Sequence, residues 1–187
     1  MPGPDRIEGY AIVSADGMLA DATGVQPDLL RIEADQDFFH GGLAQADAAA
    51  HGRNSYEGGP QAANRPRLIL TRKITALALA LARKNPNAWH WNPAGAMLDE
   101  AWRMLGLSGG TLAVIGGTDV FGHFLEHGYD VFYLSRVPNV RLPGGRAVFP
   151  GVPAQTPEDL LASHGLKAGA PRTLDAKTGT TLIAWRH

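Results

Sequence analysis

The chain has 187 residues, of which 44% are hydrophobic, and its formal net charge is −1. This length and composition predict one compact domain over residues 1–187, while the near-zero charge argues against a nucleic-acid partner. Without cysteine there is no disulfide or cysteine zinc site, and no apolar run approaches the roughly 20 residues that cross a bilayer. The first residues lack an apolar signal core. We therefore expect a cytoplasmic protein that acts on a small molecule.

The first predicted elements are a strand, a loop and a helix. The strand covers residues 7–14, and a loop rich in glycine and aspartate follows at 15–24. A loop of this length in a compact domain usually contacts a ligand. A helix is predicted over about residues 27–43, with Asp28 as its N-cap. Its buried stripe is expected to contain Leu29, Ile32 and Phe39.

Asp35 shares that apolar stripe, three residues after Ile32 and four before Phe39. A carboxylate on an apolar face is unusual, and desolvation would raise its pKa. Two interpretations remain open at this point. Asp35 is either a functional acid in a ligand site, or a residue at the edge of the stripe that pairs with Arg31 one turn earlier.

Two successive strands end in groups that suit phosphate oxygens. A strand over residues 46–51 passes through glycine into a short predicted helix at 52–57, which contains Arg53, Asn54 and Ser55. The next strand, 67–72, ends in Thr71, Arg72 and Lys73. Because ligands gather at the carboxyl ends of strands in open α/β sheets, both groups could face one nucleotide. For each residue alone, a solvated loop end is the alternative.

Residues 75–92 have strand periodicity but helix-forming residue types, so their secondary structure is left open. Residues 89–91 are predicted as a short strand, and a helix is predicted from 94 to 105. His90 between two tryptophans could stack on a ligand ring, although aromatic groups more often pack within the protein.

The central stretch, residues 111–125, is an apolar strand that passes through Gly116 and Gly117 into an amphipathic helix. Glycines lack a Cβ, so a ligand can approach the backbone closely, and the N–H groups at the start of a helix favour a phosphate. This pattern predicts a nucleotide pyrophosphate site. A tight turn without a ligand is the alternative.

The remaining chain contains a strand over residues 129–138, a helix from about residue 157 and two strands, 166–175 and 180–185, that form a hairpin. The predicted fold is α/β, with a mostly parallel central sheet flanked by helices and a C-terminal antiparallel hairpin. Residues 129–134 and the hairpin offer sheet edges that a monomer would normally cover, which predicts a homodimer. The histidines show no metal-binding arrangement, so no metal site is expected.

Five segments in order carry a family resemblance: residues 52–57, 67–72, 114–121, 133–137 and 148–150. This order resembles the dihydrofolate reductase superfamily over nearly the whole chain. Residues 14–21 and 46–54 are more similar to its RibD C-terminal branch, the reductase domain of riboflavin biosynthesis. The resemblance implies a dihydrofolate reductase-like fold and an NADPH-dependent reductase, and small reductases of this branch are commonly dimeric.

The resemblance also implies roles for individual residues. Gly116 and Gly117 match the family's glycine pair, which carries a cis peptide beside the pyrophosphate. Basic groups at the 67–72 strand end, in place of an acid that binds a ribose hydroxyl, favour NADPH over NADH. Asp35 matches the catalytic acid of the substrate site, supported by Ser135. The implied cofactor-binding residues are Gly52, Arg53, Asn54, Ser55, Thr71, Arg72, Ile115, Gly116, Gly117, Thr118, Asp119 and Val120.

The sequence departs from the family at several positions. The loop at 15–25 lacks the Pro-Trp of true dihydrofolate reductases, Phe121 stands where they usually have tyrosine, and Arg146 replaces an acid. The Asp-Asp-Pro segment of riboflavin reductases is absent at 57–61. The first interpretation is a reductase of a flat nitrogen heterocycle, a pyrimidine or a pterin. The alternatives are an NADPH-binding pseudoenzyme without turnover and a divergent dihydrofolate reductase.

Overall fold

The structure is a computed structural model that describes residues 2–55, 61–81 and 85–187. Its main element is a ten-stranded sheet. The strands of this sheet are β1 (Arg6–Ser14), β3 (Ala48–Gly52), β4 (Arg67–Leu70), β5 (Leu77–Leu79), β6 (Ala88–Trp91), β7 (Thr111–Gly116), β8 (Val131–Val137), β10 (Lys167–Ala168), β11 (Arg172–Asp175) and β12 (Thr180–Arg186). A separate two-stranded sheet pairs β2 (Met18–Ala20) with β9 (Arg146–Ala147).

The strand order is β10-β12-β8-β1-β7-β3-β4-β6-β5, and β11 also pairs with β12. All neighbours from β8 to β6 are parallel, whereas β12 and β5 run antiparallel to their neighbours. This arrangement confirms the predicted α/β fold, with its mostly parallel sheet and C-terminal antiparallel strands. The carboxyl ends of the parallel strands β3, β4 and β7 therefore meet at one edge of the sheet.

Among the described residues, four α-helices flank the sheet: α1 (Glu33–Gln45), α2 (Leu98–Met104), α3 (Thr118–His127) and α4 (Pro157–Ser163). The apolar positions of α3 explain its placement, because Val120, Phe121, Phe124 and Leu125 are all buried in the core. The start of α4 follows from Thr156, whose hydroxyl accepts a hydrogen bond from the Asp159 N–H. In residues 2–55, 61–81 and 85–187, no helix has the length and apolar character needed to cross a membrane.

The central strands β3 and β7 lie in the core. Ala48, Ala49 and Ala50 of β3 are completely buried, as are Leu112 to Val114 of β7. On β1, a side chain at Gly9 would collide with the Phe132 ring. Glycine at this position therefore lets the ring pack directly against the β1 backbone.

The helix predicted over residues 27–43 is wrong at its start. Residues Asp28–Leu30 form a single 3-10 turn, Ile32 is extended, and α1 begins at Glu33, so Asp28 is not the N-cap of α1. The buried side chains explain the break. Leu30 and Ile32 both pack into one cluster, but two residues apart on a continuous helix they would point about 200° apart. Leu29 is 69% exposed and does not belong to a buried stripe.

Other helix and strand boundaries in the structure also differ from the predicted ones. The helix predicted from residue 94 begins at Leu98, because Asn92 instead holds a turn in which its side chain accepts from the Ala94 N–H at 3.0 Å. The open segment 75–92 contributes the antiparallel strands β5 and β6. The strand predicted over 166–175 is divided into β10 and β11. The short helix predicted at 52–57 is wrong where it is described, because Gly52 ends β3 and residues 53–54 form a turn, while residues 56–57 lie outside the described residues.

The strand predicted at 129–138 corresponds to β8, but it is not a sheet edge. It lies between β1 and β12 and pairs with both. The argument that β8 offers a free edge for a homodimer is therefore wrong, because β12 returns antiparallel and covers it. The outer strands of the sheet are β5 on one side and β10 and β11 on the other.

Candidate functional site

A cleft of about 1700 Å³ opens at the carboxyl ends of the parallel strands. It exceeds the ~300–1000 Å³ of ordinary small-molecule sites and has room for a dinucleotide beside a second ligand. All fourteen site residues predicted from the sequence line it, as do Leu19, Ala20, Thr23 and Gly24 of the predicted ligand loop. The sheet topology thus brings together predicted site residues that are up to 100 positions apart in the chain, from Asp35 to Ser135.

The glycine turn lies in the middle of this cleft. β7 ends at Gly116, whose φ is 138°, and the Gly116–Gly117 peptide is cis. α3 begins directly afterwards at Thr118. The first N–H groups of a helix have no partner within the helix, so this turn presents backbone donors to the cleft. A side chain added at Gly116 or Gly117 would meet the Ser55 Oγ at 3.4 or 3.7 Å, and would fill space beside these donors.

The turn after β3 adjoins the glycine turn. Because β3 and β7 are neighbours, His51 pairs with Gly116, and Gly52 lies opposite the start of α3. A Cβ at Gly52 would lie 4.0 Å from the Gly117 nitrogen. Arg53 and Asn54 follow on the exposed side. A guanidinium and backbone donors therefore surround one space that suits a phosphate.

The end of β4 adds a third side to this space. Arg72 is 88% exposed, and its Nη2 lies 4.0 Å from the Asp119 Oδ2 in the first turn of α3. Thr71 is buried, and its hydroxyl accepts a hydrogen bond from the Lys73 N–H at 3.1 Å. The Thr118 hydroxyl donates to the Ala147 oxygen at 2.5 Å. Both hydroxyls thus have structural partners, while the Arg72 guanidinium faces the cleft.

Asp35 and Ser135 face the other part of the cleft. Asp35 is half-buried on α1, and burial raises the pKa of its carboxyl, while hydrogen bonding by the Ser135 hydroxyl partly lowers it. Ser135 itself is buried on β8. Arg31 pairs with Asp28 instead of Asp35, and its Nη1 lies 3.5 Å from the Asp28 Oδ1. The surface-pair interpretation of Asp35 is therefore wrong.

Aromatic side chains that the sequence analysis missed line the cleft beside Asp35. The ring of Tyr133 lies 5.0 Å from the rings of both Tyr10 and Phe38, measured between centroids. The sequence contains a signal for these aromatic residues. Phe38 follows Asp35 by three residues on one helix, and Tyr133 precedes Ser135 by two on one strand, so each pair shares a face. By contrast, Trp91, beside His90, is a core residue whose Nε1 donates to the Ala96 oxygen.

Charge in the cleft favours an anionic ligand. Among the described residues, five basic side chains line it, against the two carboxylates Asp35 and Asp119. Arg53, Arg72 and Lys73 belong to the turns after β3 and β4. Arg31 and Arg146, missed in the sequence analysis as ligand contacts, belong to the segment before α1 and to β9. Among the described residues, no group of three potential metal ligands could hold an ion.

No protein-family model and no curated protein sequence matches this chain. Solved structures do match its fold. A putative riboflavin biosynthesis protein from Shewanella sp. PV-4 has 17% identity and a TM-score of 0.65 over 97% of this chain and 98% of that one. Dihydrofolate reductase from Enterococcus faecalis, complexed with NADP(H) and RAB-propyl, has 15% identity and a TM-score of 0.60 over 100% of this chain and 98% of that one.

A third match is a diaminohydroxyphosphoribosylaminopyrimidine deaminase/5-amino-6-(5-phosphoribosylamino)uracil reductase from Thermotoga maritima, with 17% identity and a TM-score of 0.63. This match covers 98% of the present chain and 56% of that longer protein. At such identities the likeness establishes the fold. The chain therefore has the dihydrofolate reductase-like fold that its motifs predict, and riboflavin-biosynthesis proteins are among the structures that share it.

Proposed function

We propose that the protein is an NADPH-dependent reductase that transfers hydride to a flat nitrogen heterocycle. The substrate class is a pyrimidine of the 5-amino-6-(5-phosphoribosylamino)uracil type, or a pterin. The observation that carries this proposal is the convergence, in one cleft, of a glycine turn, two basic strand ends and a carboxyl group whose pKa is raised by burial.

The residues present fit a dinucleotide phosphate. The pyrophosphate would be held by the backbone around Gly116, Gly117 and the start of α3, where a Cβ would fill the space beside Ser55. Arg53, Asn54 and Ser55 would add donors from the neighbouring turn. Arg72 would bind the adenosine 2′-phosphate, because a guanidinium at a strand end favours a phosphate where an acid would favour a ribose hydroxyl. When bound, NADPH supplies the hydride.

On the substrate side, the protein's own groups would orient the heterocycle and deliver a proton. Tyr10, Phe38 and Tyr133 offer aromatic surfaces against which a flat ring can pack. Asp35 would hold a proton near the nitrogen that accepts it, since burial keeps its carboxyl protonated to a higher pH. Ser135 would position that carboxyl through its hydroxyl.

The two remaining basic groups favour a substrate with an anionic substituent. Arg31 and Arg146 line the cleft and are exposed, and the Arg146 Nε lies 3.9 Å from the position that a Cβ on Gly24 would occupy. Arg146 thus stands beside the loop that follows β2. A phosphoribosyl group would suit a pair of guanidinium groups, which favours the phosphoribosylamino-pyrimidine over a neutral pterin.

The discriminating experiment measures NADPH oxidation with the ribosylaminopyrimidinone phosphate and with dihydrofolate, alongside direct NADPH binding. We expect binding and turnover of the pyrimidine. Turnover of dihydrofolate alone would identify a divergent dihydrofolate reductase, and binding without turnover of either substrate would favour the pseudoenzyme. Failure to bind NADPH would contradict the whole proposal.

A further inference from the structure

A buried histidine lies behind the turn that contains Arg53. His51 is completely buried at the end of β3, and Arg67 at the start of the neighbouring β4 is only 5% exposed. The Nδ1 of His51 lies 2.7 Å from the Gly52 oxygen, and its Nε2 lies 3.0 Å from the Arg67 Nη1. Neither the motifs nor the proposed reaction gives this pair a role.

The partners of His51 define which ring nitrogen carries its proton. A guanidinium has only donors, so the His51 Nε2 must accept from Arg67 with its lone pair. The carbonyl of Gly52 can only accept, so Nδ1 carries the hydrogen. Arg67 is held in turn by its Nη2, which donates to the Ala62 oxygen at 2.5 Å. This network assigns a neutral ring in the Nδ1–H tautomer.

The same bond orients the peptide between Gly52 and Arg53. The Gly52 carbonyl accepts from the buried His51 ring and also from the Ser55 N–H at 3.2 Å. The Gly52–Arg53 peptide is trans, so its N–H points opposite to its carbonyl. The Arg53 N–H is therefore directed away from the buried ring, and both Gly52 and Arg53 line the cleft.

We infer that His51 is a positioning residue, which holds the Gly52–Arg53 peptide so that the Arg53 N–H faces a phosphate of the cofactor. The inference rests on the proposed NADPH site. His51 would act through the backbone without touching the cofactor. A peptide fixed before binding needs no reorientation when the phosphate arrives, so losing this restraint weakens binding.

Two variants test the two hydrogen bonds of the His51 imidazole ring one at a time. In His51→Asn, the side-chain amide nitrogen can occupy the place of Nδ1 and donate to the Gly52 oxygen. In His51→Gln, the amide oxygen can occupy the place of Nε2 and accept from Arg67, while the bond to Gly52 is lost. We expect His51→Gln to weaken NADPH binding roughly threefold to tenfold, the scale of one hydrogen bond, and His51→Asn to restore most of the affinity.

The readout is the NADPH dissociation constant of each variant, compared with its melting temperature. Equal NADPH affinities in the two variants would overturn the inference, because a merely structural role has no reason to favour asparagine. If neither variant folds, nitrogen-15 spectra of the wild-type imidazole decide instead. The Nδ1–H tautomer supports the inference, and the Nε2–H tautomer overturns it. A wild-type protein that binds no NADPH would reject the proposed function, and this outcome is distinct from either result for His51.

Discussion

Asp35 combines two properties that a proton donor requires. It lines the cleft, and burial raises its pKa, an effect that the Ser135 hydroxyl partly offsets. Its place in the cleft follows from residue spacing, although the predicted helix begins too early. The reason is that α1 still contains both Asp35 and Phe39, so their relative positions on the helix survive. The predicted pair of Arg31 with Asp35 is wrong because the extended Ile32 separates Arg31 from α1.

Asp35→Asn should reduce turnover by about a hundredfold or more while NADPH binding stays normal, because the amide keeps the shape but cannot deliver the proton. The measurement is steady-state turnover with the responsive heterocycle, together with NADPH affinity. Asp37→Asn is the matched control, since Asp37 is exposed on the same helix. Unchanged turnover in Asp35→Asn would place the proton transfer elsewhere.

The raised pKa also predicts how stability depends on pH. The folded state holds the proton of Asp35 more tightly than the unfolded chain, whose carboxyl has a pKa near 3.8. The stabilisation that comes from this tighter proton binding is therefore complete below the pKa of the unfolded chain. It is lost as the pH rises through the raised pKa of the folded state. Asp35→Asn should be at least as stable as wild type at neutral pH and lose that advantage in acid. Denaturant unfolding at several pH values measures this, and the opposite trend would contradict a desolvated carboxyl.

In the proposed site, we expect Arg72 to determine the choice between NADPH and NADH. Arg72→Ala should weaken NADPH binding roughly tenfold or more and barely affect NADH, since a charge-assisted bond to phosphate contributes about 1.5–3 kcal/mol. Competition titrations with both cofactors provide the measurement. Arg103→Ala, at an exposed arginine of α2, is the control. An equal loss for NADPH and NADH would reject the 2′-phosphate assignment.

At the scale of elements, the site is built from strand ends followed by turns. β7 is followed by Gly117 and α3, and its neighbour β3 is followed by the Arg53 turn. Both could be predicted because an apolar strand interrupted by glycine leaves a clear pattern. The start of α2 could not be predicted in this way. It depends on a turn in which the Asn92 side chain accepts a hydrogen bond, and on Gly95, which packs against the Thr75 backbone.

Gly117→Val tests the glycine turn. The φ of Gly117 is −86°, which other residues adopt, and its added Cβ would meet nothing closer than the Ser55 Oγ at 3.7 Å. The variant should therefore fold yet lose NADPH binding, because the side chain occupies the pyrophosphate space. Thermal unfolding and cofactor titration check the two expectations. Gly41→Val, where an added Cβ has no neighbour within 4 Å, is the control. Normal NADPH affinity in Gly117→Val would place the pyrophosphate elsewhere.

At the scale of the whole molecule, sheet order decides which residues meet. The motifs along the chain predicted a mostly parallel sheet, but not that β12 would cover β8 or that β5 would form one edge. Such pairings depend on contacts between distant segments and leave no local pattern. The aromatic cluster beside Asp35 illustrates this, since Tyr10 and Phe38 meet Tyr133 only because β1, α1 and β8 come together.

The homodimer stays a prediction, but its contact is now expected at a sheet edge other than β8. The outer strand β5 is short, and Leu79 on it is 47% exposed, close to Leu81 with 83% exposure. Exposed apolar groups on an edge strand favour contact with a second chain. Sedimentation equilibrium at micromolar concentration should give twice the 19.9 kDa chain mass. A mass near that of one chain would contradict the dimer.

The central claim is that the cleft is an NADPH site, and a calorimetric titration of the wild-type protein with NADPH tests it most directly. We expect saturable binding of one NADPH per chain, tighter than that of NADH, because Arg53 and Arg72 lie beside the glycine turn. Absence of saturable binding for both cofactors would contradict the account.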